Sequence, residues 1–212
     1  MTTLLHITVS PRGPASHSRK VGDDLCARLL VACPGLQVTT RDLGNAPLPH
    51  PDRDYVTAML TPAEARQQAH DAALVVSETV IGELEAADIV VLATPVHNFT
   101  VPSALKAWID HVVRINRTFR NSPEGKIGFL RDRPVLVIGT SGGRFGDDAA
   151  AQRDFFAPYL RYLFSTIGIT SLEILRMELL TRGPEPLAAA YAKADLWMAA
   201  QVARLSPERA GN

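Results

Sequence analysis

Three short stretches of this 212-residue chain bring together residue types that can do chemistry. The first, residues 10–18, places Ser10, Ser16 and Ser18 around Arg12 and His17 at the entrance to a helical pattern. Hydroxyls beside unpaired N–H groups at the positive end of a helix dipole make a phosphate site. The stretch has neither the dinucleotide fingerprint nor the Walker sequence. Capping of the helix by Ser16 or Ser18 explains the serines about as well. The second stretch, residues 94–99, reads Thr-Pro-Val-His-Asn-Phe. Its backbone, stiffened by Pro95 and running from Val96 to Phe99, suits the edge of a flat heterocycle. By themselves, His97 is an ordinary loop histidine and Asn98 an ordinary turn residue. The third, Gly139-Thr140-Ser141-Gly142-Gly143, formally matches the nucleophile elbow of serine hydrolases. That fold needs a histidine after the serine, yet His6, His17, His50, His70, His97 and His111 all precede Ser141. Gly142 and Gly143 read better as backbone that lets a planar ligand approach closely.

Other chemistry-bearing residues give weaker signals. No histidine–carboxylate cluster has metal-ligand spacing, so no metal is expected. Cys26 and Cys33 lie on one predicted helix. Their Cα atoms would be roughly 10 Å apart there, too far for a disulfide, and they read as buried thiols in a reducing cytoplasm. Arg12, Arg19 and Arg144 are candidate partners for a phosphate or a pyridine nucleotide, with surface charge as the default. Trp108 reads as core, and Asp110-His111 as partly solvent-facing.

The elements that must position these stretches follow from apolar patterning. Strands are predicted at residues 4–9, 36–41, 88–93, 134–138 and 171–176. Helices are predicted at about 18–33, with Val21, Leu25, Leu29 and Leu30 on one face, and at about 62–87 behind the start signal Thr61-Pro62-Ala63-Glu64. Further helices are expected at about 101–117, 149–167 and 186–205. Residues 50–61 read as a loop, and residues 118–133 as an inserted loop or hairpin. Strands alternating with helices argue for an α/β fold, a five-stranded parallel sheet with helices on both faces. The flavodoxin-like strand order 2-1-3-4-5 then brings the three chemical stretches to one cleft at the carboxyl ends of neighbouring strands.

The totals exclude several classes. Twenty-two acidic and 22 basic residues leave no basic field for nucleic acid and no polybasic membrane patch. No apolar run reaches membrane-spanning length, and the first residues lead directly into a strand, with no secretory core. The expectation is a single domain over residues 1–212, located in the cytoplasm.

Longer motifs narrow the reading. Arg41-Asp42-Leu43, Pro95 followed by Asn98-Phe99, Leu105-Lys106 through Asp110, Thr118-Phe119-Arg120, Pro123-Glu124-Gly125 and Gly168-Ile169-Thr170 occur in this order. In this combination the chain resembles the FMN-dependent NADH-azoreductases and NAD(P)H:quinone oxidoreductases of the flavodoxin-like superfamily. The resemblance implies bound FMN, with Ser10, Ser16, His17 and Ser18 at its phosphate. Pro95, Val96, His97, Asn98 and Phe99 would line the isoalloxazine and ribityl chain, and Thr140, Ser141, Gly142 and Gly143 the pyrimidine side. It implies ping-pong transfer of two electrons from NADH or NADPH to a quinone or azo compound, in a homodimer with its active site at the subunit interface. The helix at 101–113 is a candidate contributor to that interface. His97 stands where azoreductases commonly carry tyrosine, which suggests that it tunes the ring or donates a proton. Thr-Ser-Gly-Gly replaces their Ser-Arg-Gly-Gly and resembles the quinone-reductase version, while Asn121 replaces an aromatic. The alternative is a flavin-binding electron carrier or redox-responsive interaction protein without NAD(P)H chemistry; strong acidity, typical of such carriers, is absent.

Overall fold

The computed structural model describes residues 2–145 and 152–206. Strands β1 (Thr3–Thr8), β2 (Gln37–Asp42), β3 (Ile89–Pro95), β6 (Val135–Thr140) and β7 (Leu172–Met177) form a parallel sheet in the order β2-β1-β3-β6-β7. This is the flavodoxin-like order expected from the sequence. Strands β4 (Phe119–Ser122) and β5 (Gly125–Gly128) make a separate antiparallel hairpin within the predicted insertion.

Alternation along the central strands divides the core in two. Leu5, Ile7, Val90, Leu92, Val135 and Val137 pack on one face, beneath α3 (Gln68–Ala86), α4 (Ser103–Val112) and α5 (Phe156–Thr166). Leu4, Ile89, Val91, Leu136 and Ile138 pack on the other, beneath α1 (His17–Ala32) and α6 (Pro184–Leu205). Strands buried on both faces explain why β3 and β6 are unbroken apolar runs rather than alternating ones. The α1 side of β1 is the exception, because His6 and Thr8 point there and are buried. Trp108 lies wholly in the core.

Several predicted elements differ. Residues 50–61 contain a helix, α2 (Arg53–Leu60). Asp52 caps it by accepting from the Tyr55 N–H at 2.8 Å, and it buries only Tyr55 and Ala58. Two buried positions are too few to reveal a helical period. The helix expected from residue 62 begins at Gln68, where Gln67 and His70 form a capping box, and it runs unbroken to Ala86. Pro62 instead precedes a single 3-10 turn, Ala63–Ala65. The helix expected to reach residue 117 stops at Val112. There the Thr118 hydroxyl accepts from the Arg114 N–H and donates to the Val112 carbonyl, closing a turn. The predicted start of the 149–167 helix at 149–151 lies outside the described residues; α5 begins at Phe156. Leu30 is exposed rather than core-facing, and His111 is buried rather than solvent-facing.

Candidate functional site

The site is built at the carboxyl ends of β1, β3 and β6, which the parallel register brings to one edge (Thr8 opposite Ala93, Pro95 opposite Thr140). After β1 the chain turns through a 3-10 segment, Gly13–Ala15, into α1. Ser16 is the N-cap, accepting from the Arg19 N–H at 3.3 Å, and its hydroxyl lies 3.1 Å from that of Ser18. The Ser10 hydroxyl accepts from the Arg12 N–H at 3.3 Å. All three serines are buried, at the helix end where the first N–H groups have no intrahelical partner. His17 Nδ1 lies 2.9 Å from the Tyr191 hydroxyl. Burial, followed by the charges of Arg12 and Lys20, holds the His17 pKa below its ordinary value.

Arg19 is taken up elsewhere. Its guanidinium pairs with Asp42 at 2.6 Å, and Asp42 also accepts from the Gly44 and Asn45 N–H groups at 3.1 Å. This ties the β2 exit to the start of α1.

The loop after β3 is a tight turn. His97 and Thr100 exchange N–H···O bonds of 3.0 Å in both directions, and Asn98 and Phe99 sit at φ +46° and +74°. Positive φ at both central positions is the type I′ arrangement. It is costly for a bulky side chain such as Phe99, which is nevertheless 57% exposed. The Val96 N–H donates to Thr140 at 2.8 Å, joining this loop to the third one.

In the third loop the Ser141 N–H donates to the Met177 carbonyl at 2.9 Å, and its hydroxyl donates to Gly143 at 2.6 Å. A hydroxyl turned onto its own backbone is not a poised nucleophile, which agrees with rejecting the hydrolase reading. A Cβ on Gly142 would come within 2.9 Å of Thr181 Oγ1. The chain after β7 therefore packs directly on the glycine loop.

Together these loops enclose an elongated cleft with two compartments. The first, about 320 Å³, is lined by Ser10, Ser16, His17, Pro95, Val96, His97, Thr140, Ser141 and Gly142, with Pro11, Arg12, Leu180 and Thr181. The second, about 250 Å³, is lined by Val96, Asn98, Phe99, Ser141, Gly142 and Gly143, with Phe145, Gln152 and Arg153. Val96, Ser141 and Gly142 belong to both. Every FMN-site residue that the resemblance implies lines this cleft except Ser18, which is fully buried, whereas the candidate cations Arg19 and Arg144 are not among its lining residues. Sequence reasoning missed Leu180, Thr181, Phe145, Gln152 and Arg153. For Leu180 and Thr181 the available signal was their place just after a strand neighbouring β6. Among the described residues, no group of three or more His, Cys, Asp or Glu is placed to hold a metal ion. No described helix is long and apolar enough to cross a membrane.

The sheet order and a cleft at the carboxyl ends of β1, β3 and β6 define a flavodoxin-like α/β protein, and residues 2–202 match the family described as having the flavodoxin-like fold. The chain is 52% identical over 197 residues, 93% of its length and 96% of the relative's, to the FMN-dependent NADH:quinone oxidoreductase 2 of Cupriavidus pinatubonensis. It is 46% identical to FMN-dependent NADH:quinone oxidoreductase 4 of Pseudomonas fluorescens, covering 89% of this chain and 90% of that one. The chain belongs to this family of flavodoxin-like oxidoreductases. Its fold is also that of an FMN-dependent NADH-azoreductase from Bacillus anthracis solved with FMN. The TM-score is 0.84 and the identity 22%, covering 97% of this chain and 100% of that one.

Proposed function

We propose that this protein is an FMN-dependent enzyme that carries two electrons from NADH to a quinone, with NADH, a proton and the quinone giving NAD⁺ and the hydroquinone. The observation that carries this reading is the two-compartment cleft, with a helix-capped serine loop at one end and an aromatic and glycine wall at the other. The names of the close relatives support the same cofactor and reductant.

The residues present fit FMN. Ser10 and Ser16, the first N–H groups of α1 and the nearby Arg12 form a donor set suited to a phosphate dianion. The ring compartment offers Val96, Asn98 and residues 141–143, free of side-chain bulk at Gly142 and Gly143, with Phe99 also in its lining. When bound there, the flavin supplies the redox chemistry by accepting two electrons from NADH and releasing them to the acceptor. The protein's part is to hold the phosphate and fix the ring between two hydrogen-bonded loops. The two substrates are proposed to take turns at the ring, a ping-pong order, with quinones and flat azo compounds as acceptors and NADPH as well as NADH as donor. His97, exposed on the wall of the first compartment, is proposed to assist proton delivery to the acceptor.

We also propose a homodimer in the cytoplasm. The exposed Phe99 beside the cleft supports a second subunit near the site, and the two buried, unpaired cysteines support a reducing compartment. The apolar side chains of α4 are not available for that interface, because Leu105, Trp108, Ile109 and Val112 fill the subunit's own core. Light scattering of the purified protein tests the oligomer: a monomer rejects it.

The decisive experiment adds FMN to the purified protein and follows its visible spectrum under anaerobic conditions. NADH should bleach the bound flavin, and a quinone should restore the colour. A protein that binds no FMN rejects the reading. Binding without bleaching by NADH or NADPH makes it an electron carrier instead.

A further inference from the structure

Among the described residues, the charged side chains lining the cleft share one sign. In a chain with balanced charge, the described lining includes Arg12 in the first compartment and Arg153 in the second, and no Asp or Glu. Arg12 has an evident use at the phosphate end. Arg153 does not, since it lies against the ring compartment, at the opposite end of the cleft.

The segment carrying Arg153 is held from both sides. Gln152 makes an isolated β-bridge with Phe145, whose N–H donates to Glu178 at 2.7 Å. Asp154 accepts from the Phe156 and Ala157 N–H groups at 2.9 Å and from Arg176 at 2.8 Å. Among the described residues beside this segment, the carboxylates of Glu178 and Asp154 are thus already engaged. Arg153 makes no ion pair among the described residues, and its side chain is exposed at the pocket. The same compartment is also lined by Phe99, a large exposed aromatic kept in a costly backbone conformation. An aromatic surface and an exposed guanidinium in one compartment match one ligand shape, an aromatic ring bearing an anionic group.

We propose that Arg153 is a specificity-determining residue that selects aromatic substrates carrying an anionic group at the ring compartment. This rests on the oxidoreductase reading above and extends it to a substrate class. The anion has two possible sources, a sulfonate or carboxylate on the acceptor and the phosphates of the nicotinamide nucleotide.

The test compares the holoenzyme with Arg153→Gln and Arg153→Lys, using 1,4-naphthoquinone and its 2-sulfonate as acceptors. The pair shares a ring and differs in charge. For an acceptor anion, the kcat/KM ratio of sulfonate to neutral quinone falls about five- to tenfold in Arg153→Gln and is largely retained in Arg153→Lys, as for a partly exposed charge contact. Added salt lowers this ratio in the unmodified enzyme and has little effect on it in Arg153→Gln. A rise confined to the KM of NADH assigns the anion to the nucleotide. Equal losses with both quinones and an unchanged NADH KM, or no change anywhere, overturn the proposal. Calorimetric binding of the sulfonate and of NADH to the same three proteins needs no turnover. That arm judges Arg153 even if the protein proves unable to oxidise NADH, a failure that would count against the enzyme reading alone.

Discussion

Gly44 lies directly against the backbone carbonyl of Ser10, so close that a Cβ at position 44 would overlap that group. The contact is steric: the neighbour is backbone and has no rotamer into which to retreat. It joins the turn after β2, organised by Asp42, to the loop that begins the phosphate end of the cleft.

Gly44→Ala should therefore displace residues 10–12 and weaken FMN binding by at least about tenfold, with a stability loss of about 1–3 kcal/mol from overpacking. Gly82→Ala is the matched control. Nothing lies within 4 Å of a Cβ there, so helix propensity alone should stabilise the protein by about 0.5–1 kcal/mol. Titration of flavin fluorescence and thermal melts read both effects. Unchanged flavin affinity in Gly44→Ala would show that the serine loop does not depend on this contact.

The value of Gly44 was not legible in the sequence, where Asp42-Leu43-Gly44 reads only as an exit from a strand. The sheet was legible, because strands buried on both faces must be continuous apolar runs, as in Val90-Val91-Leu92 and Val135-Leu136-Val137. Their order follows from connection rules, and it places Ser10, Val96 and Ser141 together. Leu180, Thr181 and Arg153 escaped because they carry no motif. Leu180 and Thr181 reach the cleft through the pairing of Thr140 with Met177, and Arg153 through the bridge from Phe145 to Gln152. Arg19 reads as a phosphate candidate by its position, but the carboxylate of Asp42, 23 residues further on, holds it.

Phe99 separates stability from function. Glycine at this position accepts φ +74° without the Cβ penalty, so Phe99→Gly should leave the melting temperature unchanged or raise stability by up to about 1 kcal/mol. The same change removes the exposed ring beside the second compartment, and quinone kcat/KM should fall about tenfold. A clear loss of stability would mean that the ring packs more than its exposure indicates.

His97→Ala tests proton delivery. The turn is held by main-chain bonds to Thr100, so the variant should keep its fold and its FMN affinity. Turnover with quinone should fall about tenfold while bleaching of the bound flavin by NADH keeps its rate. Unchanged quinone turnover removes His97 from the chemistry.

The two cysteines should be silent in the native protein. Burial, reinforced by the nearby charge of Asp23, pushes the Cys26 thiol up to about 12, and Cys33 Sγ donates to the Leu205 carbonyl at 3.6 Å. Thiolate is the reactive form. Iodoacetamide should label neither residue in the folded protein and both after denaturation. Rapid native labelling of Cys26 would show that α1 opens from the sheet.

Neutral His6 should contribute a pH-dependent part of the apo protein's stability. It is 3% exposed on the α1 side of β1, its Nε2 has no partner among the described residues, and Gly22 leaves it no spare room. Burial lowers its pKa; Asp23, with an oxygen 3.6 Å from Nδ1, raises it, Arg19 lowers it and Asp42 raises it, and the net result lies below the ordinary 6.5. The unfolded chain therefore takes up the proton first. The stabilising contribution of neutral His6 is complete above about pH 6.5 and is lost as the pH falls from there toward the folded value. Asp42 acts in a separate, lower window. Its own burial opposes ionisation, but hydrogen bonds from Arg19 and Asn45 prevail and bring its pKa to about 2, so its contribution is lost only below the ordinary 3.8. Melting temperatures of the apo protein should thus decline as the pH falls below about 6.5, and His6→Gln should show a shallower decline whatever its overall stability. Parallel curves for the two proteins would exclude His6 as the titrating group.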